Sequence, residues 1–227
     1  MSAIETLLRE NLARIEERIV AACGRAGRSR ESVTLVAVTK SVTPEVAALL
    51  PALGVRDLGE NRPQELWRKA EALPEPRFGV RWHFIGHLQR NKIERTVPLL
   101  TCIHSIDSVR LLDALEAHGT PLEGFLEFNC SGEASKGGFA PDEVETLAQR
   151  IAALKHVRIT GVMTMAAPLG EEDDPEAARG SFAQLRALGQ RLGVPHLSMG
   201  MSGDFELAIE EGATHIRIGS TLFEGLA

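Results

Sequence analysis

The chain has 227 residues, of which 25 are basic and 31 acidic, so its net charge is −6 at pH 7. This length suffices for one domain with a full hydrophobic core, and the acidic balance argues against nucleic acid or an anionic membrane surface as the main partner. The first residues carry acidic side chains and no apolar signal core, and no apolar run approaches the roughly 20 residues of a membrane span, so we expect a cytoplasmic protein.

The first predicted element is an amphipathic helix over residues 4–23, where apolar side chains recur at three- and four-residue spacing. Apolar and β-branched runs then predict eight strands, at residues 33–39, 55–59, 81–85, 102–105, 122–129, 157–163, 196–199 and 214–218. Helical patterns lie between the strands, at about 43–53, 63–73, 91–100, 108–118, 141–154, 175–193 and 204–212. Prolines stand near four of the helix starts and glycines near four of the ends, as helix boundaries favour.

Strands that alternate with helices imply parallel pairing through right-handed crossovers. We therefore predict an α/β fold, a single (β/α)8 TIM barrel formed by residues 1–227 as one domain, rather than an open sheet. The chain ends soon after the eighth strand, so the N-terminal helix is expected to complete the outer ring. The acidic stretch at 170–174 is predicted to be a solvated loop, because its carboxylates are adjacent rather than spaced around a turn as in a metal site.

Three cysteines lie far apart and form no CxxC pair: Cys23, Cys102 and Cys130. This spacing predicts reduced thiols rather than a disulfide framework or a zinc site. Tyrosine is absent from the chain, which bears on the chemistry considered below.

The first strand ends on Lys40, and in a barrel the chemistry gathers at the C-terminal ends of the strands. Two interpretations are open. In one, Lys40 only marks the point where the strand meets water. In the other, its amine lies against low-dielectric walls, which lower the pKa of a lysine and make the amine nucleophilic towards carbonyl groups.

The ends of strands two and three carry polar residues of less specific meaning. Asn61 follows strand two, where it could equally cap the next helix. Alternation along strand three places Trp82 and Phe84 on one face and His83 on the other. His83 and His87 do not form the HExxH helix of a zinc protease and have no evident third ligand, so pocket lining is favoured over metal binding.

The last two strands end in loops of similar composition, LSMGMSGD at 197–204 and IRIGST at 216–221. Glycines, hydroxyls and expected helix N-termini supply N–H donors and a positive dipole, and phosphate sites in this fold are frequently built after strands seven and eight. The candidates for a phosphate cradle are Ser202, Gly203, Gly219, Ser220 and Thr221, with ordinary turn and cap chemistry as the alternative. A phosphate cradle facing Lys40 suggests a ligand with both a phosphate and an aldehyde, such as pyridoxal 5'-phosphate (PLP).

At these strand ends the sequence resembles the pyridoxal phosphate homeostasis proteins, the YggS/PROSC family, which are single-barrel relatives of bacterial alanine racemase. The matching motifs are VAVTK at 36–40, GEN at 59–61, WHFIGHLQ and NK within 82–92, SGEASK and GF within 131–139, LSMGMS and D within 197–204, and RIGS at 217–220. The resemblance covers nearly the whole chain. It implies a PLP-bearing barrel, usually without an established catalytic activity, that helps to control free PLP and amino-acid balance.

By position, the resemblance assigns Lys40 to the Schiff-base lysine and Arg217 to the arginine that faces the pyridine nitrogen. It assigns no catalytic residue and no metal ligand. The phosphate set is Ser202, Gly219 and Ser220, and the residues near the ring or its edge are Asn61, His83 and Met199. Three departures from the family pattern are Ser220 in place of a common threonine, Arg90 in place of a small residue, and the ending Leu222-Phe223-Glu224-Gly225 in place of Phe-Gly.

These features predict a PLP carrier or regulator rather than a turnover enzyme. An arginine that faces the pyridine nitrogen stays protonated and leaves that nitrogen unprotonated, which makes the ring a poor electron sink. Racemisation of the alanine racemase kind would need a second base, in that relative a tyrosine from a partner's extra domain, and this chain has no tyrosine and no length for the domain. The alternatives are a PLP-dependent amino-acid racemase or lyase of low activity and a phosphosugar isomerase on the same fold. The expected partners are PLP, free amino acids and PLP-dependent apoenzymes, and the protein is expected to be a monomer.

Overall fold

Eight parallel strands close into a barrel in the computed structural model, which describes residues 2–133, 137–165 and 177–226. Each strand pairs with the next along the chain, and the last pairs with the first. The strands are β1 (Thr34–Val38), β2 (Asp57–Glu60), β3 (Arg81–Phe84), β4 (Cys102–Ile106), β5 (Leu122–Glu127), β6 (Val157–Met163), β7 (His196–Ser198) and β8 (His215–Ile218). The predicted (β/α)8 TIM barrel is therefore confirmed, and each predicted strand overlaps an observed one.

Helices surround the barrel on its outside. They are α1 (Ala3–Arg25), α2 (Pro44–Ala47), α3 (Pro63–Ala72), α4 (Glu75–Phe78), α5 (Ile93–Thr96), α6 (Val109–His118), α7 (Val144–Ile151), α8 (Ala177–Leu192) and α9 (Phe205–Glu210). Short 3-10 turns extend several of them, at Arg30–Ser32, Pro51–Leu53, Arg90–Lys92, Val97–Leu99 and Pro141–Glu143. Gly54 and Gly119 follow helical segments with φ values of 89° and 78°, a left-handed backbone that favours glycine.

Two of the predicted helices are broken into short segments. The pattern at 43–53 forms only α2 and a separate 3-10 turn that begins at Pro51. The pattern at 91–100 forms α5 between two 3-10 turns, the second of which contains Pro98. Proline has no amide hydrogen, so neither Pro51 nor Pro98 can continue an α-helical ladder. The single turn of α4 was not predicted from the sequence.

Helix α1 packs over the outer wall of the barrel, as predicted. Leu8, Ile15 and Ile19 of α1 are completely buried. Asn11 Nδ2 donates hydrogen bonds of 3.0 Å to the backbone carbonyls of Leu222 and Glu224, which lie just past β8. The helix therefore holds residues 222–224 in place, where the sequence departs from the family pattern. It also completes the outer ring beside α9.

The main hydrophobic core lies between the barrel and the helices, whereas Cys102, Phe125 and Met163 form a small separate cluster. Within the described parts of the chain, no helix has the length and apolar character needed to cross a membrane. The acidic stretch at 170–174, predicted to be a loop, lies outside the described residues.

Candidate functional site

A cavity of about 360 Å³ opens at the C-terminal ends of the strands, and we call it the C-terminal cavity. Its lining contains seven of the residues predicted for the site: Lys40, Asn61, Ser202, Gly203, Arg217, Gly219 and Ser220. Val38, Ile85, Met165 and Met201 complete the lining. Its volume falls within the roughly 300–1,000 Å³ typical of small-molecule sites. Two larger hollows, of about 530 and 540 Å³, lie around α7 and away from the C-terminal ends of the strands.

Lys40 lines this cavity and is exposed, so the first strand does deliver an amine to the predicted place. One of the two interpretations required an amine enclosed by low-dielectric walls, and the exposed Lys40 side chain is not enclosed in this way. The backbone just before it is held firmly, because the Lys69 ammonium donates a 2.6 Å hydrogen bond to the carbonyl of Thr39. Lys69 also bonds Glu60 at 2.5 Å, and both side chains are completely buried. A buried ion pair thus fixes the end of β1 from which Lys40 projects.

The loops after β7 and β8 meet at Ser202. The backbone amides of Gly219 and Thr221 donate to Ser202 Oγ at 3.4 and 3.5 Å. A Cβ atom at Gly219 would lie 3.3 Å from both the Cβ and the carbonyl oxygen of Val38, so glycine lets the two strand ends approach closely. The residues after β8 form turns rather than the helix start that the sequence suggested. Because Ser202 Oγ accepts from these two amides, the Ser202 O–H can donate to an anion in the cavity.

Arg217 is buried at the base of the cavity and is held by two hydrogen bonds. Its Nη1 donates to Ser198 Oγ at 2.6 Å, and its Nη2 donates to the carbonyl of Thr164 at 3.0 Å. Burial lowers the pKa of Arg217 to about 10, against the opposing influence of the Asp204 and Glu127 carboxylates. Arg217 therefore remains protonated near neutral pH.

Two carboxylates near Arg217 were not predicted as part of the site. Glu127 ends β5, and burial together with repulsion from Asp107 raises its pKa to about 7, while Arg217 and His87 oppose this rise. Burial also raises the pKa of Asp204, whose carboxylate accepts a 2.6 Å hydrogen bond from the amide of Met201. A charged residue at the end of an apolar strand was the available signal for Glu127, as it was for Lys40.

Of the residues that the resemblance assigned to the ring or its edge, His83 and Met199 do not line the C-terminal cavity, and Thr221 is the phosphate candidate that does not line it. His83 lies on the inner face of β3, as the alternation predicted, but contacts Asp57 and His104 nearer the opposite mouth of the barrel. Met199 is completely buried in the hydrophobic core. Strand alternation specifies the face of the sheet but not the height along the barrel axis, which explains the position of His83.

Comparison with known proteins gives consistent findings. The model of the alanine racemase N-terminal domain family matches residues 10–226. The pyridoxal phosphate homeostasis protein of Aquifex aeolicus is 40% identical over 224 residues, covering 94% of this chain and 96% of the relative. The protein of that name from Pseudomonas aeruginosa is also 40% identical, over 221 residues and 94% of each chain. PipY from Synechococcus elongatus, solved with PLP bound, superposes with a TM-score of 0.80 at 31% identity, covering 95% of this chain and 99% of PipY.

Proposed function

From the finding that the chain belongs to the pyridoxal phosphate homeostasis proteins, within the alanine racemase N-terminal domain family, we propose that it binds PLP in the C-terminal cavity and serves in PLP homeostasis. The single observation that carries this proposal is the convergence of a strand-end amine, Lys40, with the Ser202 and Gly219 loops in one cavity. PLP, when bound, supplies an aldehyde that condenses reversibly with primary amines.

The donor set fits the cofactor at both of its ends. Lys40 supplies the amine for the aldehyde, and the cavity is open enough for that amine to exchange with free amino acids. The hydroxyls of Ser202 and Ser220 supply neutral donors for a phosphate dianion at these strand-end loops, and Ser202 Oγ is oriented by the amides of Gly219 and Thr221 that donate to it. A side chain at Gly219 would fill the approach between β8 and Val38 and displace these donors.

Arg217 sets the electronic character of the site. Its guanidinium lines the cavity and stays charged near neutral pH, so towards a ring nitrogen it acts as a hydrogen-bond donor and leaves that nitrogen unprotonated. This disfavours carbanion chemistry and favours a role in holding and delivering PLP. We extend the proposal to free amino acids, which compete with Lys40 for the aldehyde, and to apoenzymes that receive the cofactor.

A PLP-dependent amino-acid racemase or lyase of low activity is the second candidate. Glu127 favours it, because a buried carboxyl whose pKa is about 7 can exchange a proton near neutral pH. The absence of tyrosine from the sequence weighs against it. Sustained turnover of a chiral amino acid that is lost in both Lys40→Ala and Glu127→Gln would favour the enzyme. Absence of turnover by the PLP-loaded protein would favour the carrier.

The test of PLP binding is an absorption titration of the purified protein with PLP, followed by borohydride reduction and peptide mapping. We expect a pyridoxyl group on Lys40 and its loss in Lys40→Ala. Lys155→Ala is the matched control, because Lys155 is exposed in the connection between α7 and β6, before the N-terminal end of that strand. A pyridoxyl group scattered over surface lysines, or an unchanged spectrum in Lys40→Ala, would overturn the assignment.

A further inference from the structure

Four imidazoles lie inside the barrel, a space that branched aliphatic side chains usually fill in this fold. They come from β3, β4, β7 and β8: His83, His104, His196 and His215. Rings on neighbouring strands have centroids 5.0 Å apart for His83 and His104 and 5.3 Å apart for His196 and His215, and His104 meets His215 across the barrel at 5.7 Å. None of the four is among the residues that line the C-terminal cavity.

Three of these rings line a second cavity of about 250 Å³, at the opposite mouth of the barrel. We call it the N-terminal cavity, because its walls include the first residues of six strands: Thr34, Asp57, Arg81, Cys102, His196 and His215. Two buried polar atoms of its lining, Thr160 Oγ1 and His196 Nδ1, have no hydrogen-bond partner within the described parts of the chain. Because an unpaired buried polar group is costly, these atoms point to a polar ligand in this cavity.

A cluster of metal-binding donors borders the same cavity. His83 pairs with Cys102 in the β3–β4 register, and Cys102 shares the inner face of β4 with His104. The ligand atoms of these three buried side chains all lie within 4.8 Å of one another. We propose that His83, Cys102 and His104 form a transition-metal site, which takes Zn²⁺ or a similar ion that prefers imidazole and thiolate ligands.

The surroundings of the two histidines match those of metal ligands. His83 Nε2 lies 3.0 Å from Asp57 Oδ1, and Asp57 is itself held by a 2.7 Å hydrogen bond from Arg81 Nε. His104 Nδ1 lies 2.7 Å from Ser198 Oγ. Each ring therefore has one nitrogen fixed by a polar partner and turns the other towards the cluster, which is the arrangement that orients metal-ligating histidines. The N-terminal cavity provides the path by which an ion reaches them.

Metal binding would replace one hydrogen bond. Asp57 accepts a hydrogen bond from His83 Nε2, so in the neutral ring His83 Nδ1 is an acceptor. His83 Nδ1 and His104 Nε2 are 2.8 Å apart, and His104 Nε2 therefore carries the proton between them. The ion takes the place of that proton, which moves to His104 Nδ1 and bonds Ser198. Cys102 binds as the thiolate and releases its proton to solvent, so each bound ion frees one proton.

The sequence pattern pointed away from this site. The wide separation of the cysteines predicted no zinc site. His83 was weighed as a metal ligand only together with His87, which is near it in the sequence. His87 instead lies beyond the C-terminal end of β3, where its Nδ1 is 2.7 Å from Asp107 Oδ2. The partners of His83 come from the neighbouring strand, and the β3–β4 register that brings them together is not visible in the sequence.

The experiment is a titration of the chelator-treated, PLP-free full chain with Co²⁺, followed by absorption and by equilibrium dialysis. We expect one Co²⁺ per chain, a thiolate-to-cobalt band in the near ultraviolet, and displacement by Zn²⁺. In Cys102→Ala the band should vanish and the affinity should fall at least tenfold, whereas Cys130→Ala, which removes another buried thiol, should behave as the unaltered protein. Asp57→Asn should weaken binding by roughly 10–100-fold through the orientation of His83.

Absence of Co²⁺ binding by the folded protein, or an unchanged near-ultraviolet band in Cys102→Ala, would overturn the proposal. If Cys102→Ala fails to fold, a second measurement on the unaltered protein decides the same question: Zn²⁺ should protect the Cys102 thiol from an alkylating reagent. Lys40→Ala should bind Co²⁺ normally. A failure of PLP binding would therefore leave the metal titration intact, and the two proposals fail separately.

Discussion

Arg217 Nη1 donates a 2.6 Å hydrogen bond to Ser198 Oγ, which ties the guanidinium of the C-terminal cavity to the interior of the barrel. Ser198 Oγ lies 2.7 Å from His104 Nδ1, and burial lowers the pKa of His104 well below its usual value, so this ring is neutral. This series of hydrogen bonds continues through His83 and ends on the carboxylate of Asp57. Arginine only donates and an ionised carboxylate only accepts, so in the metal-free protein every donor points from Arg217 towards Asp57.

Ser198→Ala should therefore destabilise the protein and loosen Arg217. The substitution removes one of the two acceptors of a buried charged group, and a hydrogen bond to a charged group contributes about 1.5–3 kcal/mol. We expect a loss of that size in the free energy of unfolding in urea. We also expect a shift in the absorption maximum of bound PLP, because Arg217 would no longer be fixed beside the ring.

Ser105→Ala is the matched control for this prediction. Ser105 Oγ donates a 2.6 Å hydrogen bond to the neutral carbonyl of Gly86, so its loss should cost only about 1 kcal/mol. An equal loss of stability in the two variants, with no spectral shift in Ser198→Ala, would contradict a positioning role for Ser198.

Lys69→Met should be strongly destabilising, because it leaves the Glu60 carboxylate buried without its partner. Removing one member of a buried ion pair costs about 3–5 kcal/mol, measured as the free energy of unfolding in urea. PLP affinity should fall as well, since Thr39 would lose the hydrogen bond that fixes the backbone before Lys40.

The neighbouring residue on α3 provides the comparison for Lys69. Arg68 forms an exposed pair with Glu65, so Arg68→Ala should change stability by less than about 1 kcal/mol. If Lys69→Met were no more destabilising than Arg68→Ala, the buried pair would not be the anchor of β1.

The alternation of strands and helices was enough to predict the barrel, because each strand needs only its own apolar run and each connection its own turn residues. Helix α1 also followed from the sequence, because its apolar side chains recur at helical spacing. The interior network did not follow. His104 and Ser198 are 94 residues apart, and their contact exists only because β4 and β7 face each other across a closed barrel.

The candidate site likewise contains residues that the sequence could place and one that it could not. Lys40, Asn61, Ser202 and Gly219 sit at strand ends, which a barrel brings to one mouth whatever the details of packing. The height of an inward side chain depends on strand stagger, which the sequence does not display, so the position of His83 towards the other mouth could not be predicted.

Gly219→Ala should weaken PLP binding by disturbing the close approach of the loop after β8 to Val38. The added methyl group would lie 3.3 Å from the Cβ and carbonyl oxygen of Val38, so the loop must move by a few tenths of an ångström and shift the donating amide. We expect at least a tenfold loss of affinity in an absorption titration, with inorganic phosphate competing less well. Gly180→Ala is the control, because its methyl group would meet no atom within 4 Å and should leave affinity unchanged.

Glu127→Gln should alter the pH dependence of stability in a defined direction. Burial and the nearby Asp107 raise the pKa of Glu127 to about 7, against the attraction of Arg217 and His87. The unfolded chain has a glutamate pKa near 4.3, so between these values the native state binds more protons than the unfolded state. The stability that depends on this group is complete below about pH 4.3 and is lost as the pH rises through about 7.

The difference between Glu127→Gln and the unaltered protein isolates this effect from all other titrating groups. Glutamine keeps the shape but cannot ionise, so the variant should gain roughly 2–3 kcal/mol relative to the unaltered protein between pH 5 and pH 8, as read from urea unfolding at each pH. Glu71→Gln, at an exposed position on α3, should show no such trend. A gain for Glu127→Gln that stays constant between pH 5 and pH 8 would mean that the carboxyl ionises freely beside Arg217 and that Glu127 has no elevated pKa.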